Sequence, residues 1–272
     1  MSAISRPLRE HNAIESATFV VILHDALDKP YHDAVLAALD QFSDELPGNQ
    51  PVPADPGLIK IQFFNQQPQP EITRFIAGRD GQHLWRVSID ANVVQVTCHD
   101  YTSFDLVSKQ AMRYLTEVLN AIGPNYWVLE AGLQYVDKFV YGMATEQDYD
   151  INELFRPGSR YLTEQARASG LFWHVYQGWF EPRDMQSRFL HQLNLSNVEL
   201  PDRQVAALID YRGTVRGTVQ PLSLGELIVP EGHYGASPLE LVFRQLHDTN
   251  RTILENLLTD VKLEQIGMRS PI

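Results

Sequence analysis

Histidine is followed by aspartate four times in this chain, at His24-Asp25, His32-Asp33, His99-Asp100 and His247-Asp248. Nine His and eighteen Asp in 272 positions give roughly 0.6 such pairs by chance, so the excess invites a metal-dependent phosphohydrolase reading. That chemistry needs His and Asp converging on one ion from several elements. The spacing here sets two pairs at strand ends, one near a helix start and one within a helix, so no metal ligands are assigned. Cys98 beside His99 suggests a thiol nucleophile, but neighbours on a strand point to opposite faces and cannot form a dyad. A buried, inert thiol is the expectation, and the sequence offers no catalytic residue and no cofactor motif.

Two segments place arginines around glycine, Arg156-Pro157-Gly158-Ser159-Arg160 and Arg212-Gly213-Thr214-Val215-Arg216-Gly217. Loops of this kind can offer backbone amides and guanidinium groups to an anion, although neither has a phosphate-loop pattern, and a hairpin turn or solvated loop is the plainer reading. The densest aromatic run is LFWHVYQGWF, from Leu171 to Phe180. As a strand it sends Phe172, His174, Tyr176 and Phe180 one way and Trp173, Val175 and Trp179 the other. Two apolar faces suit a strand between layers; alternatively one face is a partner site, because Trp and Tyr anchor binding well. The candidate binding residues are therefore Trp173, Tyr176 and Trp179, with Arg156, Arg160, Arg212 and Arg216.

The elements that must position these residues follow from periodicity. Ala17 to His24 is a β-branched apolar run of strand length, expected mid-sheet and buried on both faces. Pro30, then Tyr31, Val35, Ala38, Leu39, Phe42 and Leu46, spaced by threes and fours, predict an amphipathic helix stopped by Pro47-Gly48. Loops are expected over Pro47 to Gly57 and Gln66 to Pro70, with a strand at Leu58 to Phe64 between them. Short runs at Ile72 to Ala77, His83 to Ile89 and Val93 to His99, with turn residues Arg79-Asp80-Gly81 and Asp90-Ala91-Asn92, predict an antiparallel meander. A helix follows from about Ser103, with Thr102 and Asp105 as its start signal and Gly123-Pro124 as its stop. Leu133 to Tyr141 alternates, with Asp137 interrupting the apolar side.

Beyond an irregular stretch from Gly142 to Gly170, with short helices near Asn152 to Phe155 and Thr163 to Ala168, strands are expected at Leu171 to Phe180, Arg188 to Leu195 and Val205 to Tyr211. Ser237 with Glu240 forms a capping box around Pro238, and Leu239, Val242, Phe243, Leu246, Ile253 and Leu257 form the stripe of a long C-terminal helix. Arg244, His247, Arg251 and Glu255 fall on its opposite face, expected to face water. The fold class is α+β, with antiparallel sheets packed against long helices and two similar sheet-plus-helix halves as the finer expectation. The organisation read is an N-terminal α+β half over 1–142, an irregular connection over 143–170 and a C-terminal α+β half over 171–272, with one compact domain as the alternative.

Composition bounds the function classes. With 44% hydrophobic and 21% charged residues, the chain is of ordinary globular type. A single cysteine rules out an internal disulfide and a cysteine-based zinc site, and it suits a reducing cytoplasmic location. No apolar run approaches a membrane span, and no signal peptide is read at the N-terminus. The net charge of −12 opposes counterion-driven binding to nucleic acid.

Asn12-Ala13-Ile14-Glu15 with Ala17, Tyr101 to Asp105 (YTSFD), Gly132 to Asp137 (GLQYVD) and Leu246 to Gly267 (LHDTNRTILENLLTDVKLEQIG) resemble a sporadically distributed bacterial and archaeal family of about this length with no established activity. Where that family favours Arg and Asn around the GLxYxx strand, this chain has Gln134 and Asp137. The resemblance implies a patchy, accessory distribution of the kind seen in defence-associated genes, and supplies no catalytic residues. The resulting expectation is an accessory or immunity-like protein that engages another protein. A hydrolase or nuclease-like enzyme using His99, His174, His191, His233 and carboxylates assembled in one cleft is the alternative. A nucleic-acid binder with Arg156, Arg160, Arg212 and Arg216 on one face is the third.

Overall fold

The computed structural model describes residues 3–49, 72–79, 81–142, 144–183, 187–217, 222–228 and 235–269, and of Arg216, Leu222 and Glu226 the backbone alone. The strand expected at Leu58 to Phe64, most of the two loops around it, and His233 lie outside them. The β-branched run forms β2 (Ile14–Leu23), flanked on both sides, as a doubly buried strand must be. With β1 (Arg6–Pro7), β3 (Ile72–Ala77), β4 (His83–Asp90), β5 (Val93–Cys98), β6 (Trp127–Gly142), β7 (Trp173–Pro182), β8 (Ser187–Glu199), β9 (Val205–Gly217) and β10 (Leu222–Ser223), it builds one large antiparallel sheet. The order along it is β3-β4-β5-β2-β6-β9-β8-β7, with β1 and β10 each paired to β6. The protein is thus α+β, and strands from both sides of the 143–170 connection pair directly, β6 with β9.

The helices cover one face. On β2 that face carries Ala17, Phe19, Val21 and Leu23, all buried. Helix α1 (Lys29–Asp40) packs on α2 (Phe104–Ile122), α2 on β5, and α6 (Pro238–Leu257) across β6 and β9. The ring of Phe243 in α6 meets Phe19 edge-on at 5.1 Å. Short helices α3 (Ile151–Leu154), α4 (Glu164–Ala168), α5 (Leu224–Leu227) and α7 (Asp260–Gln265) complete the set. The capping box at Ser237 is formed in both directions, Glu240 N donating to Ser237 Oγ and Ser237 N to Glu240 Oε2.

Four local expectations are corrected. α1 ends at Asp40 rather than Leu46, because the polar Gln41, Ser43 and Asp44 are taken up in turns that bend the chain and deliver Phe42 edge-on to Tyr114 at 5.0 Å. The N-cap of α2 is Ser103, with no side-chain capping bond. Arg212 to Gly217 is not a loop but the interior of β9, paired with both β6 and β8. Its glycine is there for space: a Cβ on Gly213 would stand 2.5 Å from Leu246 Cδ2 and Tyr211 Oη. Finally, His247 does not face water. Its ring stacks on Phe104 at 4.1 Å and its Nδ1 lies 3.0 Å from Tyr135 Oη.

The burial of Arg86, Glu130 and Lys262 was not anticipated. Lys262 in α7 is fully enclosed, its Nζ 2.5 Å from Glu153 Oε1 and donating to the carbonyl oxygen of Ser5 at 2.6 Å. Glu153 Oε2 accepts from Ser5 N and Oγ, so one ion pair pins the N-terminal segment, α3 and α7 together.

Candidate binding strand at the sheet edge

Trp, Tyr, Phe and Val favour an extended backbone, and the run from Leu171 to Phe180 is rich in them. The strand is tied at its start: Leu171 N donates to Glu146 Oε2 at 2.8 Å, and Asn197 Nδ2 donates to Leu171 O at 2.6 Å. From there the side chains alternate between covered and open. Trp173 turns inward, 7% exposed, with Nε1 donating to Tyr149 Oη at 2.8 Å and Phe155 edge-on at 5.5 Å. Trp179, half-buried, stacks on Tyr161 at 5.8 Å. On the opposite face Phe172 is 49%, Tyr176 57% and Phe180 63% exposed. Three large rings in open water along one strand are an unusual exposure of apolar surface. Gln192 Nε2 donates to Tyr176 Oη and holds that ring in place.

The backbone of β7 is open as well. Among the described residues it pairs only with β8, and no backbone group of 173–182 bonds to any other segment. A shallow groove of about 530 Å³ runs beside Phe172, with His174, Asn194, Ser196 and Glu199 along it. The opposite edge of the sheet is guarded differently. β3 has a register shift after Ile76, is bridged at Phe75 by Gly48, and carries Arg74 paired with Asp40.

The candidate residues therefore separate. Tyr176 lies on the open face, and Trp173 and Trp179 are turned to the helix-covered side. Arg156 pairs with Asp260 at 2.6 Å, and Arg160 lies over the ring of Tyr161 at 5.0 Å. Arg212 is half-buried in β9, on the sheet face away from the helices. Phe172 and Phe180 share the parity of Tyr176, so alternation groups the three on one face, and the folded sheet shows that face to be the open one.

The described histidines do not meet in one cleft. His174 is exposed on the open face, and His191, 1% exposed, is on the covered one. His191 Nδ1 lies 3.0 Å from Tyr211 Oη, and Nε2 faces Glu181 Oε2 at 3.3 Å without hydrogen-bond alignment. Burial lowers the pKa of His191, opposed by Glu181, and burial likewise lowers that of His247. Asp137 is 2% exposed with no partner for Oδ2, and burial pushes its carboxyl up to about 7. Tyr101, Tyr135, Asp137, Tyr211, His191 and His247 thus form a polar layer enclosed between sheet and helices. No group of three or more His, Cys, Asp or Glu among the described residues is arranged to hold a metal ion. Burial pushes the Cys98 thiol up to about 12, which removes it as a nucleophile near neutral pH. No helix among the described residues is long and apolar enough to cross a membrane.

Comparison with family models, with curated proteins and with solved structures found no match to this chain.

Proposed function

We propose that this is a binding protein that engages another protein through the open face and free backbone edge of β7. One observation carries the reading: Phe172, just before β7, and Tyr176 and Phe180 on it, each about half exposed or more, lie in a row along a strand whose outer edge makes no backbone hydrogen bond among the described residues. Aromatic anchors beside an open strand edge suit recognition in which backbone bonds give affinity and alternate side chains give specificity. The net charge of −12 favours a protein partner over nucleic acid. The accessory or immunity-like character is supported by the family resemblance alone, and a cytoplasmic setting by the lone buried cysteine.

The test is affinity capture with three baits: the wild-type chain, Tyr176→Lys, and Arg251→Ala on the exposed side of α6. A protein retained by wild type and Arg251→Ala, lost with Tyr176→Lys, and able to rebind when purified supports the reading. Retention indifferent to Tyr176→Lys contradicts it.

A further inference from the structure

The sequence of the open strand has a mirror centre. Reading outward from Tyr176, the third residue on either side is tryptophan, Trp173 and Trp179, and the fourth is phenylalanine, Phe172 and Phe180. An antiparallel strand pair related by a two-fold axis matches residue positions by mirror counting, so a strand of this kind is complementary to itself. Resting on the reading of β7 as a binding strand, we infer that its partner is a second copy of this chain, paired edge to edge about a two-fold axis through Tyr176.

In that register Tyr176 lies opposite Tyr176 of the partner subunit, and Phe172 opposite Phe180 of the partner subunit. Trp173 falls opposite Trp179 of the partner subunit. A two-fold that continues the sheet lies perpendicular to it, keeping both helix layers on one side and joining the two aromatic rows into six rings on the other. Slipping the centre by one residue, to Val175 or Gln177, would set Phe172 against Gly178 or Pro182 of the partner subunit. Ring-on-ring matching therefore selects the Tyr176 centre.

The strand lacks the usual defences against such pairing. Its register with β8 runs without a bulge from Trp173 to Pro182, and no Lys, Arg, Asp or Glu stands between Phe172 and Phe180. Although the chain carries −12 overall, no like charges meet: Glu181 falls opposite Leu171 of the partner subunit. At about 150–250 Å² for each ring, the exposed parts of Phe172, Tyr176 and Phe180 amount to about 300 Å² per protomer. A standard interface needs about 800 Å² per partner, the remainder coming from the ten-residue backbone edge and its flanks.

Sedimentation of the full chain at micromolar concentration should show a dimer. Tyr176→Lys, which sets two ammonium groups face to face at the axis, should be monomeric while still unfolding in one cooperative transition, with a melting temperature that, unlike that of the wild type, does not depend on protein concentration. Engineered cysteines fix the register, and native Cys98 is buried and does not compete. Under oxidation Tyr176→Cys should cross-link to itself, since opposed Cα atoms in an antiparallel pair lie about 4.5–5.5 Å apart, within disulfide reach. Phe172→Cys combined with Phe180→Cys should also cross-link. His174→Cys, about 13 Å from its own copy along the strand, should not. A dimer unaffected by Tyr176→Lys, or one cross-linked equally well through His174→Cys, overturns the inference. So does a monomeric wild type; if Tyr176→Lys then still abolishes capture of another protein, self-pairing falls and the binding reading stands.

Discussion

The phenol of Tyr135 in β6 and the imidazole of His247 in α6 meet at 3.0 Å, tying the C-terminal helix to the centre of the sheet. Helical spacing put His247 on the polar side, yet Phe104 stacks flat against it and leaves it half-buried. His247→Gln should therefore cost about 1–2 kcal/mol near neutral pH by stranding a buried phenol. Burial lowers the folded pKa of His247 below 6.5, so its contribution is full above that value and is lost as pH falls through the folded pKa. Thermal melts at about pH 8 and about pH 5 should show the gap between variant and wild type shrinking in acid.

Asp137 carries the opposite dependence. Its carboxyl is favoured neutral in the folded chain, so the folded state holds more protons between pH 3.8 and about 7, and stability falls as pH rises through that window. Asp137→Asn should leave the urea midpoint nearly unchanged at about pH 4 and raise stability at about pH 8, by up to about 4 kcal/mol on a scale of about 1.36 kcal/mol per pH unit. A variant less stable than wild type at the higher pH would contradict this.

For the C-terminal helix, Phe243→Ala removes a fully buried ring packed on Phe19 and should cost about 3–5 kcal/mol. Ser237→Ala opens the capping box and should cost about 1 kcal/mol. Arg251→Ala touches only an exposed pair with Glu255 and should leave the melting temperature nearly unchanged.

Lys262→Met should cost about 3–5 kcal/mol in urea unfolding, because it leaves the half-buried Glu153 without its cation. Adding Glu153→Leu should recover part of that loss. If the double variant is no more stable than Lys262→Met alone, the penalty lies in packing rather than in the stranded charge.

What the sequence disclosed depended on how much of each signal was local. The run at Phe19 to Leu23, the alternation about Tyr135 and the capping box at Ser237 are complete within a few residues, and each element formed where its pattern lies. Arg212 to Gly217 misled because glycine signals a turn in isolation; here Gly213 is demanded by Leu246, a residue 33 positions later that only the folded sheet brings near. His247 and Lys262 were misplaced or missed for the same reason, since the ring and carboxylate that enclose them come from distant segments. On β7, alternation separated the two faces but not which of them the helices cover. Tyr176 stands on the open face, and its companions Trp173 and Trp179 belong to the covered side.

The central claim is that β7 is the contact surface, and amide hydrogen exchange compared between bound and free chain tests it most directly. In the complex, with a second copy or with a captured protein, the account predicts that new protection concentrates in peptides spanning Trp173 to Pro182, as the free edge gains hydrogen-bond partners. Peptides from the β3 edge should exchange as before. Unchanged exchange across β7, with new protection on α6 or β3 instead, would contradict it.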